Sequence, residues 1–313
     1  MLLHPRLSID KESGIYLFSV YSNKESMDTK ELLKKVRKIE IKTKGLSSQV
    51  FSGEYHSAFK GRGMAFSEVR EYMPGDEIRT IDWNVTARFN RPYVKVFEEE
   101  RELTVMLIVD ISASESFGTK ERLKREIIAE LCAVLAFSAT QNNDKIGLTL
   151  FTNQIELYVP PKKGKKHILR IIRELIEFQP TGKKTDIKEA LRYFTNMVKK
   201  RSIAFIVSDF IDDNFEDALK VANKKHDIVA LKIEDEIENE IPNVGLIQLK
   251  DNETGQTKWI NTSSKKTRTK YKANAIKRNR ELKETFRKSG VDYTTITTNR
   301  PYIIPLMNLF KQR

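Results

Sequence analysis

Apolar runs of strand length alternate with amphipathic helical patterns from about residue 101 to the end of the chain. The first run, 103–109, does not alternate apolar with polar residues, which is typical of a strand buried on both faces of a sheet. Similar runs lie at 146–151, 203–207, 228–233 and 291–297. Helical stripes separate them, so we predict an α/β fold with a doubly wound, mainly parallel sheet and helices on both of its faces.

Two stretches depart from this alternation. Residues 155–159 follow the strand 146–151 closely enough to pair with it as a hairpin, and residues 245–260 have the pattern of a second hairpin. We expect the second hairpin to extend the edge of the sheet as an antiparallel addition. The last long helical pattern, 265–288, carries eleven Lys and Arg residues and only two acids, Glu281 and Glu284.

Three oxygen-bearing side chains follow the first predicted strand at alternate positions. They are Asp110, Ser112 and Ser114. Ligands of open α/β sheets bind at the carboxyl ends of the strands, and a carboxylate with two hydroxyls offers hard oxygen donors that suit Mg²⁺ better than zinc or copper. The alternative interpretation is an Asp/Ser turn that caps the following helix.

The Asp-x-Ser-x-Ser pattern resembles the metal-ion-dependent adhesion site (MIDAS) of von Willebrand factor A (vWA) domains. The resemblance implies two further ligands from separate loops, and Thr185 and Asp209 have the right order and context. We therefore predict a metal site made of Asp110, Ser112, Ser114, Thr185 and Asp209. In the domains it resembles, hydroxyls ligate the ion directly, the aspartates neutralise it partly through water, and a partner's carboxylate completes the coordination.

The charge balance of the chain is strongly basic, with a formal net charge of +13. This excess suits an acidic protein surface, nucleic acid or an anionic membrane, and it also serves solubility alone. One cysteine, Cys132, and four scattered histidines argue against a zinc site and fit a reducing cytoplasm. No stretch approaches the ~20 apolar residues that span a bilayer, which leaves only peripheral association with a membrane open.

Two further segments closely resemble the DUF58 family: residues 59–88 (FKGRGMAFSEVREYMPGDEIRTIDWNVTAR) and 92–105 (PYVKVFEEERELTV). The resemblance covers about residues 28–313. It implies a prokaryotic protein with a vWA-like domain, often encoded beside a MoxR-type AAA+ ATPase. One residue departs from the family pattern: Glu115 follows Ser114 where family members usually carry a small or apolar residue, which places a carboxylate next to the predicted ion.

We divide the chain into three regions. Residues 1–27 are expected to be a disordered extension, and residues 28–100 an N-terminal DUF58 segment that packs on the sheet edge as a small strand-containing subdomain. Residues 101–313 are expected to be the vWA-like domain. Within the second region, charges alternate with aromatic anchors, so we expect buried Arg–carboxylate pairs. The residues expected to be buried and paired are Arg70, Asp76, Arg79, Asp82, Trp83 and Arg88.

The sequence gives little support to catalysis. A phosphatase of the haloacid dehalogenase type needs a second Asp two positions after the nucleophile, and Ser112 stands there instead; a hydroxyl is a poor proton donor at neutral pH. The sequence has neither the Gly-rich phosphate loop nor the nucleophile-elbow motif. No His lies in the loops around Ser112, Thr185 and Asp209 to activate a serine.

We therefore predict a non-enzymatic, cytoplasmic, vWA-like adaptor. It binds a divalent cation, Mg²⁺ or else Mn²⁺ or Ca²⁺, and contacts a protein partner, for which the family resemblance implies a MoxR-type AAA+ ATPase. The alternative is nucleic-acid binding by the basic helix 265–288. Its charge has the right sign, but Tyr271 and Phe286 are its only aromatic residues, which offers few platforms for base stacking.

Overall fold

The computed structural model describes residues 8–10, 15–17, 37, 39, 64–99, 102–112, 124–182, 184–250 and 257–313. The strands are β1 (Ser8–Asp10), β2 (Ile15–Leu17), β3 (Met64–Glu71), β4 (Tyr93–Glu99), β5 (Thr104–Asp110), β6 (Lys145–Phe151), β7 (Ile155–Lys162), β8 (Ile203–Ser208), β9 (Asp227–Glu234), β10 (Leu246–Lys250), β11 (Thr257–Asn261) and β12 (Asp292–Thr297). The helices are α1 (Trp83–Phe89), α2 (Lys124–Gln141), α3 (Lys165–Glu177), α4 (Ile187–Met197), α5 (Glu216–Lys225), α6 (Glu236–Asn239), α7 (Lys265–Ser289) and α8 (Ile303–Lys311).

A six-stranded sheet in the order β12-β9-β8-β5-β6-β7 forms the centre of the structure. The neighbouring strands run parallel except for β6 and β7, which form an antiparallel hairpin. The predicted α/β fold with a mainly parallel sheet is confirmed, and so is the predicted hairpin after β6. The chain crosses from one side of β5 to the other between β6 and β8, which is the pattern of a doubly wound sheet.

The central strand β5 is apolar on both faces because each face supports its own core. Val105, Leu107 and Val109 face a cluster that includes α2, α3 and α8. Met106 and Ile108 face a second cluster that includes α4, α5 and Phe286 of α7. Burial on both faces removes the need for alternation, so the uninterrupted apolar run was a correct sign of a central strand.

The hairpin of β10 and β11 corrects one prediction. The two strands pair antiparallel as expected, but they belong to a separate four-stranded sheet in the order β1-β2-β10-β11 and do not extend the main sheet. The reason lies at the edge next to β9. There β12 pairs in parallel with β9 along the whole of its length, so this edge is already taken by the final strand of the chain.

The DUF58 segment contains an antiparallel pair, β3 and β4, joined through a 3-10 turn and α1. The segment therefore contains strands as predicted, while its status as a subdomain and its packing on the sheet edge stay predictions. Within residues 1–27 the structure describes only β1 and β2, and these six residues are strands. The other residues of the predicted disordered extension lie outside the described ranges.

The expectation of a buried charge network in this segment is only partly met. Arg70 and Asp76 form a two-pronged ion pair with nitrogen–oxygen distances of 2.7 and 2.8 Å. Asp82 caps α1 and lies 3.3 Å from the Lys95 ammonium. Trp83, however, is 68% exposed, and Arg79 and Arg88 are also exposed, so the prediction that these three residues are buried was wrong.

None of the helices among the described residues combines the length and the apolar character required to cross a lipid bilayer.

We predict that Gly147→Ala destabilises the main sheet. A methyl group at Gly147 would lie 2.6 Å from Met106 Sδ and 2.9 Å from the Val159 carbonyl oxygen. The backbone of β7 cannot retreat without disturbing the hairpin, so overpacking should lower the free energy of unfolding by about 1–3 kcal/mol in urea titrations. Lys145→Ala, at the exposed start of the same strand, serves as the control. It removes only a surface ion pair, which is worth less than about 1 kcal/mol.

Candidate metal centre

Two acidic residues end adjacent strands at the same edge of the sheet. Asp110 is the last residue of β5, and Asp209 directly follows Ser208, the last residue of β8. β5 and β8 are parallel neighbours, with Val109 opposite Val207, so both carboxylates lie at the carboxyl edge. This is also the point where the strand order reverses, the usual ligand position in such sheets.

Asp110 is completely buried. One of its oxygens accepts a hydrogen bond from the Ser112 backbone N–H at 2.9 Å, and the other accepts one from the Ser208 hydroxyl at 2.7 Å. Burial, reinforced by the charge of Asp209, raises the pKa of Asp110 to about 7, although these hydrogen bonds oppose the rise. The carboxylate is therefore supplied with neutral donors and lies in a position where a nearby cation would stabilise its charge.

Asp209 is held in a constrained turn and is only 2% exposed. Its Oδ1 accepts a hydrogen bond from the Ile211 N–H at 3.1 Å. Phe210 between them has a φ of 56°, a left-handed conformation that is unusual for a bulky residue. The Phe210 ring packs against Phe215 and Phe286, and this packing holds the strained backbone in place.

A buried lysine also reaches this corner. Lys124, the first residue of α2, is fully buried, and its ammonium nitrogen lies 3.4 Å from Asp209 Oδ2 and 2.6 Å from Glu238 Oε1. Glu238 belongs to the short helix α6, where its second oxygen accepts the Asp235 N–H at 3.0 Å. Lys124 thus connects the loop after β8 with the helix after β9.

The loop that carries Thr185 is fixed to the same edge from two sides. The Asp186 N–H donates to the Thr152 carbonyl just after β6, at 3.0 Å. The Ile187 N–H donates to Asp212 Oδ2 in the loop after β8, at 2.8 Å. Because β6 and β8 are the two neighbours of β5, these contacts hold the half-buried Thr185 at the carboxyl edge beside the end of β5.

Glu156 fixes the preceding part of this loop. Its carboxylate accepts hydrogen bonds from the Gly182 N–H at 2.7 Å, the Thr181 N–H at 3.1 Å and the Thr152 hydroxyl at 2.8 Å. Burial works to raise the pKa of Glu156, but these donors outweigh it, so the pKa is lower than usual. At Gly182 a side chain would meet Thr152 Oγ1 at 2.1 Å, which explains why a glycine stands there.

Of the five predicted site residues, the structure brings Asp110, Ser112, Thr185 and Asp209 to one edge of the sheet, with Ser112 fully buried. Ser114 and Glu115 lie outside the described residues. Among the residues that the structure describes, His, Cys, Asp and Glu side chains alone form no cluster of three suited to a metal. The predicted set depends on hydroxyl oxygens as well as carboxylates, and a buried carboxylate pair with hydroxyls nearby fits a hard divalent cation.

Sequence reasoning missed four residues of this corner. They are Lys124, Glu156, Ser208 and Glu238. Ser208 has a visible signal, because it directly precedes Asp209 at the end of a predicted strand. Glu156 lies inside the apolar strand β7, and Lys124 and Glu238 lie in polar stretches, so none of the three has a local feature that indicates a role, and only the folded chain brings them to the site.

The basic helix α7 offers no exposed aromatic ring for nucleic acid. Phe286 is fully buried and packs against Phe210 and Tyr293, and Tyr271 is partly buried. Three of its cations are paired with acids: Lys272 with Glu240, Lys277 with Glu281, and Arg280 with Glu284. These contacts do not favour the alternative of a stacking nucleic-acid surface.

Comparison with known families and sequences gives consistent results. The model of a family described as "Protein of unknown function DUF58" matches residues 68–281. An uncharacterized protein of Mycobacterium tuberculosis is 27% identical over 290 residues, which cover 92% of this chain and 91% of the relative. The uncharacterized protein YeaD of Bacillus subtilis is 27% identical over 109 residues, or 35% of this chain and 25% of that protein.

Solved structures are more distant. An aerotolerance-related membrane protein from Bacteroides fragilis has a TM-score of 0.46 at 15% identity, covering 67% of this chain and 100% of that one. Proximal thread matrix protein 1 from the mussel byssus, solved with a zinc occupied MIDAS motif, has a TM-score of 0.35 at 16% identity, covering 42% of this chain and 38% of that one. At these scores the fold assignment depends on the strand order of the chain itself.

We predict that Glu156→Ala loosens the loop that leads to Thr185. The Thr181 and Gly182 N–H groups would lose a charged acceptor, and such a hydrogen bond contributes about 1.5–3 kcal/mol. Amide hydrogen exchange at these two positions should therefore become roughly ten to a hundred times faster. Gln154→Ala is the control, because the Gln154 side chain donates to the Thr181 hydroxyl at 2.7 Å and to Glu156 Oε1 only at 3.5 Å, but contacts neither amide. Unchanged exchange in Glu156→Ala would contradict the assignment of Glu156 as the anchor of this loop.

Proposed function

This chain belongs to the DUF58 family, and we propose that it is a non-enzymatic adaptor that binds a divalent cation at the carboxyl edge of its sheet and contacts a protein partner there. The observation that carries the proposal is the pair of buried carboxylates, Asp110 and Asp209, at the ends of neighbouring strands. Hydroxyl groups on Ser112 and Thr185 lie at the same edge. This combination of oxygen donors is suited to Mg²⁺, with Mn²⁺ and Ca²⁺ as substitutes.

The proposed roles of the residues follow from their charge. Ser112, Ser114 and Thr185 would hold the ion by their neutral hydroxyls, and Asp110 and Asp209 would neutralise it. The bound ion supplies an electrophilic coordination position that a carboxylate from a partner can complete. Ile211, two residues after Asp209, is 49% exposed and gives a partner an apolar contact immediately beside this position.

The positions of the described histidines support the proposal that the site is not catalytic. Of the residues described, His167 and His226 are the only histidines, and both lie at the opposite, amino edge of the sheet: His167 contacts the Ile146 carbonyl, and His226 precedes β9. Burial, which is the main cause, together with the nearby cations Lys225 and Arg201, lowers the pKa of His226 to about 4. Among the described residues, therefore, no histidine lies at the carboxyl edge to act as a base for a serine nucleophile.

The proposed partner is a MoxR-type AAA+ ATPase, as the family resemblance implies. The carboxyl edge continues into a cleft of about 930 Å³ between the loop after β8 and α7. The cleft contains more acidic than basic side chains, among them Asp212, Asp213 and Glu238. A partner that brings both a carboxylate for the ion and basic groups for this cleft would match the surface.

We predict that Mg²⁺ raises the melting temperature of the EDTA-treated protein. At a hundredfold excess over the dissociation constant, binding should add about 2.7 kcal/mol, or on the order of 5–10 °C. Asp110→Asn should lose this response. Its metal-free form should melt no lower than the wild type, because a neutral amide next to Asp209 relieves the repulsion between buried charges. Asp213→Asn, at an exposed position of the loop that carries Asp209, should respond to Mg²⁺ like the wild type.

We also predict that capture of the partner depends on the metal. Immobilised protein should retain the MoxR-type ATPase of the same genome in Mg²⁺, and about tenfold less in EDTA or with Asp110→Asn. Asp292→Asn, at an exposed position at the start of β12 on the opposite, amino edge of the sheet, should behave as wild type. If wild type and Asp110→Asn retain equal amounts with and without EDTA, the ion does not bridge the two proteins, and the adaptor proposal loses its mechanism.

A further inference from the structure

The Lys124 ammonium group contacts a carboxylate of the proposed metal site. It is fully buried, 3.4 Å from Asp209 Oδ2 and 2.6 Å from Glu238 Oε1. Lysine is almost never fully buried unless its charge is paired, because a lone ammonium loses its hydration without compensation. The position of Lys124 is therefore a response to the two carboxylates that face it.

Both carboxylates are held in place by their remaining oxygens. Asp209 Oδ1 accepts the Ile211 N–H at 3.1 Å, and Glu238 Oε2 accepts the Asp235 N–H at 3.0 Å. Asp235 is itself fixed, since its side chain caps α6 and accepts the Thr298 hydroxyl at 2.8 Å. The ammonium thus lies between two anchored acceptors, one of which belongs to the proposed metal site.

We propose that Lys124 is the resident counter-ion of this site. Its ammonium group takes the place of a divalent ion beside Asp209 in the metal-free protein and lowers the affinity of the site for such an ion. This inference rests on the proposed function, because it concerns the same metal. It adds a residue that determines how tightly the metal is held.

The charges explain why such a residue is useful. Asp110, Asp209 and Glu238 contribute three negative charges, and Lys124 contributes one positive charge. With Lys124 present, the Glu238 charge is offset, and a divalent ion faces only the two aspartates. Without Lys124, the third carboxylate would add to the attraction for the ion and would compete with a partner's carboxylate for its open position.

The effect on affinity follows from the shared oxygen. Asp209 Oδ2 is the atom that faces the ammonium, so a divalent ion bound to it would lie within a few ångströms of a like charge or would displace Lys124 towards Glu238. Either arrangement weakens binding, because repulsion at this distance inside a protein is strong. Removal of the ammonium should therefore tighten the site for the metal.

The test is a calorimetric titration of the EDTA-stripped full chain with MgCl₂, MnCl₂ and CaCl₂. Lys124→Met should bind Mg²⁺ at least about tenfold more tightly than the wild type. Its metal-free form should melt at a lower temperature, because the buried Asp209 and the half-buried Glu238 lose their partner. Where this variant does not fold, the double variant Lys124→Met with Glu238→Gln keeps the buried charge balanced. It should also bind Mg²⁺ more tightly than the wild type.

Lys232→Met is the matched control. Lys232 lines the cleft beside Asp209 and is paired with Glu234 and Asn279, both at 2.6 Å, but contacts neither aspartate. Its removal should change the Mg²⁺ affinity much less than removal of Lys124.

The outcomes separate the two proposals. If the wild type binds Mg²⁺ and the folded Lys124 variants bind it equally or more weakly, the counter-ion role of Lys124 is overturned and the metal site stands. An equal gain in Lys232→Met would also overturn it, since net charge alone would then explain the effect. If neither the wild type nor any variant binds Mg²⁺, Mn²⁺ or Ca²⁺, both proposals fall together.

Discussion

The burial of two carboxylates at the ends of neighbouring parallel strands is the constraint around which this protein's candidate site is built. Asp110 and Asp209 are 0% and 2% exposed, and like charges removed from water repel each other and lose hydration. The neighbouring groups compensate for this cost differently at the two residues. Asp110 receives neutral donors from Ser112 and Ser208, whereas Asp209 faces the Lys124 ammonium. The Lys124 charge faces this group directly, and the proposed divalent cation would offset more of its negative charge.

The sequence contained enough information to predict half of this arrangement. The apolar runs of β5 and β8 identify buried strands, and strands of a parallel sheet end at a common edge, so Asp110 and Asp209 could be expected to converge. Lys124 could not be predicted in the same way. It lies 85 residues from Asp209 along the chain, and a lysine at the start of a helix has no local feature that distinguishes it from a solvated one. Its role depends on how α2 and α6 pack over the sheet edge, which is a property of the fold.

The two corrected predictions have a related cause. The Arg70–Asp76 pair formed as expected because six residues and one turn separate its members, so local geometry suffices. Burial of Trp83 requires a second surface to cover it, and charge alternation within one segment carries no information about such a surface. The β10–β11 hairpin was likewise recognised as a local unit, but its place was decided by competition for the sheet edge with β12, which follows it by thirty residues of chain in sequence.

The unequal distances from Lys124 to its two carboxylates bear on which of them serves the metal. A lysine ammonium is a compact point charge that two acceptors can share, unlike the planar guanidinium of arginine, which favours paired contacts with one carboxylate. Here the sharing is asymmetric, at 2.6 Å from Glu238 and 3.4 Å from Asp209. Glu238 therefore carries most of the ion pair, and Asp209 is engaged less closely by Lys124. Asp209 is also the carboxylate that lies beside β5 and Asp110. Of the two acids, Asp209 is therefore the better placed to serve the proposed divalent ion.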